Sequence, residues 1–372
     1  MAHDLDYFLK KMVANGGSDL FVTSGFPVSS KIHGKMRPLE EEKQDEAGAL
    51  NLVHQAMSED LQKQFEETRE CNFAIAREGV GRFRCSAFWQ RDQAGMVVRR
   101  IVTQIPNADD LGLPDVLKDV IMSKKGLILF VGGTGTGKST SLAALIGHRN
   151  KNSYGHILTI EDPIEFVHQH INCVITQREV GIDTHSFDDA LKSSLRQAPD
   201  VILIGEIRSM ETMEYAMSFA DTGHLCVATL HANNANQAIE RIMHLAPPEL
   251  HDKLRYDLSL NMRAIVAQQL VPTPDGKGRV AAIEILLNSP LVTDMIQKGE
   301  VAGLKEAMKK GKEQGMQNFD MALYDLYKEG KITLEAALHN AESPNDLRLM
   351  VKLESDEGSS LGSLTDVTID MD

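Results

Sequence analysis

One stretch of the chain combines glycine, lysine and hydroxyl residues at a spacing that binds phosphate groups. Residues 132–139 read Gly-Gly-Thr-Gly-Thr-Gly-Lys-Ser, which matches the phosphate-loop pattern G-x-x-x-x-G-K-[ST]. The apolar run 126–131 before it is typical of a buried parallel strand, and residues 139–146 after it have helical composition. These flanks favour a nucleoside triphosphate site over the alternative, a glycine-rich turn without a ligand.

Each part of this loop has an expected task. Backbone N–H groups of the turn converge on the phosphates, and the start of the helix adds partial positive charge. Lys138 would neutralise the β- and γ-phosphates, and the Ser139 hydroxyl would bind Mg²⁺. The residues predicted to bind the nucleotide are Gly132, Gly133, Thr134, Gly135, Thr136, Gly137, Lys138, Ser139 and Thr140.

Two later apolar segments end in acidic residues. Residues 156–165 read as a strand that ends in carboxylates, among them Glu165, with Pro163 interrupting the strand. Residues 199–206 place Glu206 after four aliphatic residues and a glycine, the usual form of a Walker B strand. Glu206 would contact Mg²⁺ through water or help position the attacking water. The alternatives are acids at a helix start for the first segment and an ordinary buried strand for the second.

A third segment, 222–231, reads as a strand with a histidine at each end. A strand over 224–231 spans about 23 Å at roughly 3.3 Å per residue, so His224 and His231 cannot contact the same phosphate within one subunit. His231, at the carboxyl end, is the candidate for contact with the γ-phosphate or the attacking water. His224 is expected to order the far end of the strand or to contact another subunit.

Net charge, cysteine spacing and apolar content argue against several classes of protein. A net charge of −14 argues against a nucleic-acid translocase, since such a protein needs basic grooves. The four cysteines are far apart in the sequence, which favours small buried residues over a metal site or a disulfide. No apolar run of eighteen residues and no signal-peptide core occur, so neither a membrane span nor secretion is expected.

The elements that position these residues form an α/β protein. Residues 1–103 predict a small domain, residues 104–114 a linker, and residues 115–352 a mainly parallel sheet followed by helices from 290. Residues 353–372 carry six acidic residues and no Lys or Arg, which predicts a disordered tail. In the first domain, the patterns predict helix at 5–14 and 43–69 and strands at 18–23, 28–32, 35–39, 71–76, 82–90 and 95–101.

Four segments together resemble the Walker A, Asp box, Walker B and His box of the secretion-superfamily ATPases. They are Gly-Gly-Thr-Gly-Thr-Gly-Lys-Ser-Thr, Ile-Glu-Asp-Pro-Ile-Glu-Phe, Leu-Ile-Gly-Glu-Ile-Arg and Gly-His-Leu…Thr-Leu-His. Segments 17–20, 176–180 and 315–320 are similar to the PilT/PilU retraction ATPases of type IV pili. The likeness covers about residues 5–345. Segments 197–202, 231–236, 268–278 and 345–350, and the acidic tail, are more like the PilU side of that family.

This resemblance implies a PAS-like N-terminal domain, a RecA-like ATPase domain, ATP between them and a homo-hexameric ring. It implies that Glu165 is the general base, Glu206 the Walker B acid and His231 a phosphate sensor. Arginines of the N-terminal domain would contact the phosphates, and Arg99 and Arg84 match the family's positions best. The alternative for either arginine is a solvated side chain on a sheet face.

The implied function is ATP hydrolysis that powers pilus retraction and twitching motility. The implied partners are a PilT-type ATPase and an inner-membrane platform protein, with no nucleic acid, at the cytoplasmic face of the inner membrane. Three positions depart from the family: Gly133 replaces a proline, Phe21 replaces a histidine, and 291–296 lacks the Ala-Ile-Arg motif tied to retraction. The last departure favours an accessory motor. The alternatives are a pilus-extension or type II secretion ATPase, and a nucleotide-binding regulatory subunit without useful turnover.

Overall fold

A computed structural model describes residues 3–101 and 104–360, with side chains up to residue 353. The chain divides into two compact units. The first unit holds the chain up to Ile105 together with 162–169 and 177–186, and the second unit holds the other residues. Two contiguous domains are expected from the sequence, so these two short segments lie in a different unit from the one expected.

Within residues 3–101, the first unit forms an antiparallel sheet of six strands and three helices. The helices are α1 (Leu5–Ala14), α2 (Glu46–Gln55) and α3 (Glu59–Thr68). The strands are β1 (Gly17–Thr23), β2 (Pro27–Ile32), β3 (Lys35–Lys43), β4 (Glu70–Arg77), β5 (Gly81–Gln90) and β6 (Gln93–Ile101), in the order β3–β2–β1–β6–β5–β4. The predicted strands are confirmed, each slightly longer, and the predicted helical stretch 43–69 consists of two helices.

Local sequence signals explain where these elements begin. Asp4, Asp45 and Ser58 precede the three helices, and each side chain accepts a hydrogen bond from a backbone N–H of the first turn. His33 and Gly34 both have positive φ, as the tight turn between β2 and β3 requires. Short-range chemistry therefore accounts for the helix starts and the hairpin.

One face of this sheet covers a hydrophobic core. Along β5, Phe83 and Cys85 are buried in that core, whereas Arg82 and Arg84 are partly exposed. Since side chains alternate between the two faces of a strand, Arg84 lies on the face opposite to the core.

The second unit contains a mixed sheet and helices. Its strands are β7 (Gly126–Val131), β8 (Gly155–Glu161), β9 (Cys173–Glu179, in this unit up to Thr176), β10 (Val201–Ile204), β11 (Leu225–Leu230), β12 (Met262–Pro272) and β13 (Arg279–Leu287). Its helices are α4 (Asp115–Ile121), α5 (Lys138–Asn152), α6 (Phe187–Ser194), α7 (Met210–Asp221), α8 (Ala235–Leu245), α9 (His251–Asn261), α10 (Pro290–Lys298), α11 (Leu304–Lys310), α12 (Phe319–Lys328), α13 (Leu334–Asn340) and α14 (Pro344–Ser360).

The strand order of this sheet is β13–β12–β7–β11–β10–β8–β9. The pairs β12–β7, β7–β11, β11–β10 and β10–β8 are parallel, and β13 runs antiparallel to β12. Every residue of β7 is buried, as its apolar sequence predicts. Because the order is not sequential, segments far apart in the chain meet at one edge of the sheet.

The C-terminal helices confirm the helical sequence expected from residue 290 onward. The last of them, α14, continues to Ser360, so residues 353–360 are helical where a structureless tail is expected. Extending an existing helix adds one hydrogen bond for each residue ordered, which lets it run into a polar sequence. The rest of the expected tail, 361–372, lies outside the described residues.

The cysteines are buried free thiols, as predicted. They are Cys71, Cys85, Cys173 and Cys226. Burial raises the pKa of the Cys85 thiol to about 12, so this cysteine carries no thiolate at neutral pH. In the part of the chain that the structure describes, no helix is both long and apolar enough to cross a bilayer.

Candidate functional site

Parallel strands of the second unit end together at one edge of the sheet. Gly132 follows β7, His231 follows β11, Gly205 follows β10, and β8 itself ends in Glu161. In open α/β sheets, ligands bind outside the carboxyl ends of the strands. The fold therefore brings the phosphate loop, the end of β10 and His231 to the edge where a ligand is expected.

The phosphate loop needs glycine at two positions. Gly132 and Gly137 have φ values of 153° and 86°. A Cβ atom at Gly132 would lie 2.6 Å from Thr136 Oγ1, and one at Gly137 would lie 2.8 Å from Gln268 Nε2. Both positions therefore exclude a side chain. At Gly133 the nearest atom to an added Cβ is 3.9 Å away, so the glycine that replaces the family's proline is not required sterically.

Lys138 begins α5 and holds the loop together. Its Nζ donates to the carbonyl oxygens of Gly132 and Gly133 at 2.7 and 2.8 Å. Thr136 Oγ1 also donates to the Gly133 carbonyl, at 3.0 Å. The ammonium group thus lies at the loop, where phosphate oxygens would be stronger partners than neutral carbonyls.

The other residues predicted to bind the nucleotide differ in their exposure to solvent. Thr134 and Gly135 are exposed, whereas Ser139 and Thr140 are partly buried in the first turn of α5. The first N–H groups of a helix have no carbonyl partner within the helix, so this turn can donate hydrogen bonds to an anion.

Gln268 is a loop contact that the motif does not reveal. It is 3% exposed on β12, and its Nε2 donates to the Thr136 carbonyl at 2.9 Å. Its Oε1 has no hydrogen-bond partner among the described residues. The only sign of this contact in the sequence is a glutamine directly after the apolar run 264–267.

Glu206 lies two residues after β10 and contacts two basic side chains. Its Oε1 is 3.1 Å from His231 Nε2, and its Oε2 accepts a hydrogen bond from Arg208 Nε at 2.7 Å. The Glu206 side chain is 16% exposed and that of His231 is 43% exposed. Thus Glu206 and His231 are in direct contact, and Arg208, the last residue of the segment Leu-Ile-Gly-Glu-Ile-Arg, is the second partner of Glu206.

Backbone hydrogen bonds fix the position of Glu206. The N–H of Gly205 donates to the Ile160 carbonyl on β8 at 2.7 Å, and the N–H of Ile207 donates to the Thr229 carbonyl on β11 at 2.9 Å. The turn that carries Glu206 is therefore attached to the strands on both sides of β10.

His224 lies at the opposite end of β11 from His231. Its ring Nδ1 is 3.2 Å from Thr222 Oγ1 and 3.3 Å from the Phe219 carbonyl oxygen. These contacts order the turn before the strand, in keeping with the first of the two roles expected for this histidine.

Glu165 is exposed and lies in the first unit, not in the unit expected from the sequence. Side chains of residues 177–179, which also belong to the first unit, bind the backbone on both sides of it. Ile164 N–H donates to the Glu179 carboxylate at 3.2 Å, and His168 N–H donates to Gln177 Oε1 at 2.8 Å. These side-chain contacts, which no local pattern encodes, attach the segment around Glu165 to the end of β9.

Arg84 and Arg99 lie directly opposite each other on β5 and β6. Each approaches a buried carboxylate of the first unit: Arg99 Nε is 2.8 Å from Asp19 Oδ1, and Arg84 Nε is 4.0 Å from Glu179 Oε1. Burial alone would raise the pKa of Asp19, but hydrogen bonds from Arg99 and Ser18 outweigh it and hold that pKa below its usual value. The two arginines therefore share a face and have acidic partners.

Ser139 and Glu206 supply oxygen atoms of the kind that Mg²⁺ prefers, a hydroxyl and a carboxylate. Among the described residues, no cluster of three or more His, Cys, Asp or Glu could hold a metal ion without help. The donors present therefore fit an ion that takes its remaining ligands from nucleotide phosphates and water. Fold and site together define a P-loop nucleotide-binding protein of the α/β class.

Comparison with known proteins agrees with this class. Residues 1–309 match the family described as Type II/IV secretion system protein. The type IV pilus ATPase PilU of Pseudomonas aeruginosa is 59% identical over 363 residues, which are 97% of this chain and 95% of that protein. The PilT retraction ATPase of the same species is 40% identical over 343 residues, 92% of this chain and 99% of PilT. The chain belongs to the type II/IV secretion system protein family, and within it to the PilU/PilT-type ATPases.

A solved structure supports the same assignment. The crystal structure of the pilus retraction motor PilT with bound ADP is 38% identical, has a TM-score of 0.86, and the match covers 93% of this chain and 99% of that chain. The chain therefore has a PilT-like fold, with an N-terminal antiparallel sheet and an ATPase domain built on a mixed, mainly parallel sheet.

Proposed function

We propose that this chain hydrolyses ATP to drive type IV pilus retraction, as an accessory motor beside a PilT-type ATPase. The observation that carries the proposal is the Glu206–His231 pair, 3.1 Å apart, at the sheet edge that also holds the phosphate loop. The likeness to PilU along nearly its whole length supports the biological setting. Segment 291–296, on α10, lacks the PilT motif tied to retraction, which supports the accessory role.

The chemistry assigns one task to each site residue. The loop N–H groups and Lys138 bind the phosphates of ATP. A water molecule that gives its proton to Glu165 attacks the γ-phosphorus in line, the bond from that phosphorus to the β–γ bridging oxygen breaks, and ADP and phosphate are released. Glu206 helps to position that water, and His231 senses the γ-phosphate. Arg99 and Arg84 offset the charge on the γ-phosphoryl group. Ser139 and Glu206 would hold Mg²⁺, which supplies further positive charge to the phosphates when bound.

The proposal includes a larger assembly. A PAS-like N-terminal domain and a RecA-like ATPase domain would form a homo-hexameric ring at the cytoplasmic face of the inner membrane. Its partners would be a PilT-type ATPase and the pilus platform protein. Support comes from the PilU and PilT relatives. Native mass spectrometry of the chain alone and with a PilT-type partner, with and without ATP, should detect homo-hexamers and show whether the two proteins associate.

The two alternatives are less well supported. A pilus-extension or type II secretion ATPase usually carries a longer N-terminal region and a four-cysteine zinc module. All four cysteines are buried free thiols, and no group of three or more His, Cys, Asp or Glu among the described residues could hold a metal ion. A regulatory subunit without turnover would not need the Glu206–His231 pair beside the phosphate loop.

Substitution of the acids tests the catalytic proposal. Replacing Glu206 or Glu165 by Gln should leave ATP affinity nearly intact and lower turnover at least about a hundredfold, because the water-activating groups are lost. Glu211→Gln, an exposed acid at the start of α7, is the matched control and should behave as wild type. Weaker ATP binding with unchanged turnover at saturating ATP would show that the assignment is wrong.

A cellular assay distinguishes between the two proposed functions of this chain, a motor and a regulatory subunit without turnover. In cells that lack the chain but keep a PilT-type ATPase, the wild type should restore pilus retraction under load. Glu206→Gln should not restore it, although the variant binds ATP. Full restoration by this variant would favour the regulatory subunit.

A further inference from the structure

Glu179 is a buried carboxylate to which the proposed mechanism assigns no task. It is 1% exposed, and its Oε2 accepts a hydrogen bond from the Ile164 N–H at 3.2 Å. Its Oε1 has no hydrogen-bond partner among the described residues and lies 4.0 Å from Arg84 Nε. A buried carboxylate is costly unless a positive charge lies beside it, so Arg84 is the counter-charge of Glu179.

Gln177 and Glu179 together hold the backbone on both sides of Glu165. Gln177 Oε1 accepts from the His168 N–H at 2.8 Å, and its Nε2 donates to the Phe166 carbonyl at 2.9 Å. Since positions 177 and 179 are two residues apart on β9, their side chains face the same side. The segment that carries Glu165 is therefore attached to the end of β9 by side chains.

The backbone of Glu179 is itself fixed by the turn that follows β9. Its N–H donates to Asp183 Oδ2 at 2.9 Å, and its carbonyl accepts from the N–H groups of Asp183 and Ile182 at 2.8 and 3.2 Å. A carboxylate anchored in this way has little freedom to follow either Ile164 or Arg84 if they shift.

We propose that Glu179 is a positioning residue for ATP hydrolysis. One carboxylate oxygen holds the backbone next to the general base Glu165, and the other orients Arg84. The contact with Arg84 is made through Nε, which leaves both terminal nitrogens of the guanidinium available for phosphate oxygens. This inference rests on the proposed roles of Glu165 and Arg84, and it adds a single group on which the placement of both depends.

Glu179→Gln tests the inference, because it keeps the shape and an acceptor for Ile164 but removes the charge beside Arg84. We expect kcat to fall at least about tenfold while KM for ATP changes less than about threefold, as for a change that affects the transition state more than binding. The matched control is Glu78→Gln, an exposed glutamate in the turn between β4 and β5, which should have wild-type kcat. An unchanged kcat in Glu179→Gln would overturn the inference.

A double variant shows whether Glu179 acts through Arg84. In an Arg84→Gln background, Glu179→Gln should cause no further loss of turnover, because it keeps the acceptor for Ile164 and the side chain that its charge orients is already absent. Two losses that multiply would mean that Glu179 does not act through Arg84 and would overturn the inference.

The same double variant also guards against a folding defect. Glu179→Gln/Arg84→Gln removes both charges, so the variant should fold, and its kcat should equal that of Arg84→Gln alone. A folded double variant with wild-type kcat would overturn the inference. The proposed role of Glu165 as general base is tested separately, because full turnover in Glu165→Gln would refute that role. An inactive Glu165→Gln variant together with wild-type turnover in Glu179→Gln would refute only the positioning role of Glu179.

Discussion

At the scale of single residues, the candidate functional side chains pair with opposite charges or contact a basic group within their own unit. Glu206 contacts His231, Asp19 contacts Arg99, and Glu179 approaches Arg84. In the last two pairs the carboxylate is buried, so removal of the arginine leaves a buried charge without its partner. We therefore expect Arg84 and Arg99 to stabilise the folded chain, in addition to any role in binding phosphate.

Arg99→Ala should lower the melting temperature even without nucleotide, by the equivalent of about 1 kcal/mol, a value typical of partly exposed ion pairs. The sequence alone, in which Arg99 is a candidate phosphate contact, predicts an unchanged melting temperature; the ion pair with Asp19 changes that prediction. Because the folded-state pKa of Asp19 is lowered, the stabilisation is present at neutral pH and is lost as pH falls below the ordinary value of 3.8. Thermal unfolding at pH 7 and at acidic pH, compared with wild type, measures the effect.

The control for this prediction is Asp19→Asn/Arg99→Ala, which removes both charges. Its melting temperature should lie closer to that of wild type than that of Arg99→Ala does. If Arg99→Ala keeps the wild-type melting temperature at pH 7, the ion pair does not contribute to stability.

At the scale of elements, the start of α5 and the loop before it are shaped by packing against β12. Gln268 on β12 donates to the loop at Thr136, and a Cβ at Gly137 would lie 2.8 Å from its Nε2, so the hydrogen bond would have to shift. The loop is therefore held in shape by its own glycines and by a strand far away in the sequence.

Two glycine substitutions, one at the N-cap of α5 and one within the helix, test this statement. Gly137→Ala should abolish ATP binding, since its φ is 86° and its Cβ would meet Gln268 Nε2 at 2.8 Å. Gly147→Ala, in the interior of α5 with no neighbouring atom within 4 Å of the new Cβ, should stabilise the fold by about 0.5–1 kcal/mol. Nucleotide binding and thermal unfolding measure both. Normal ATP binding by Gly137→Ala would contradict the close packing of the loop.

Another buried carboxyl group links β13 to the start of α8. Glu284 is 0% exposed, and its Oε1 accepts from the Ala235 N–H at 2.8 Å. Burial raises its pKa to about 7, against the lowering effect of the Ala235 N–H and with a further increase from Glu342. The start of α8 is only four residues after His231, so this cap lies close in sequence to the candidate site.

The raised pKa predicts a specific pH dependence of stability. Between the ordinary value of 4.5 and about 7, the folded chain keeps a proton that the unfolded chain releases, so stability falls as pH rises through this window. Glu284→Gln lacks this titration. The melting temperature of Glu284→Gln minus that of wild type should therefore be more positive at pH 8 than at pH 5. An equal difference at both pH values would show that Glu284 keeps an ordinary pKa.

At the scale of the whole molecule, we predict that the acidic C-terminus contributes to partner binding and not to folding. Residues 361–372 contain three acidic residues and no Lys or Arg. Their deletion should leave ATP turnover and melting temperature nearly unchanged, because carboxylates are repelled by ATP. Any effect should occur in binding to a PilT-type partner, and that binding should weaken as salt screens the charges.

The deletion of residues 361–372 is compared with a longer deletion of residues 353–372, which also removes the last turns of α14. Turnover of both truncated proteins and pull-down of the partner at two salt concentrations are the measurements. A shorter deletion that loses ATPase activity without any partner would mean that residues 361–372 contribute to the catalytic machinery.

The sequence by itself determined the phosphate loop, the strands, and the acids and histidine at the strand ends. These features follow from local patterns: glycine spacing, apolar periodicity and the residue that comes directly after a strand. The hexamer, the partners and the roles of Glu165, Arg84 and Arg99 stay predictions drawn from the resemblance.

Only the tertiary structure decided which side chains meet. The Glu206–His231 pair depends on β10 and β11 being neighbours, and the contact of Gln268 with the loop depends on β12 lying beside β7. The attachment of the backbone around Glu165 to the end of β9 depends on the side chains of Gln177 and Glu179. These contacts join residues that are far apart in the sequence, or satisfy buried polar groups, and no local pattern specifies them.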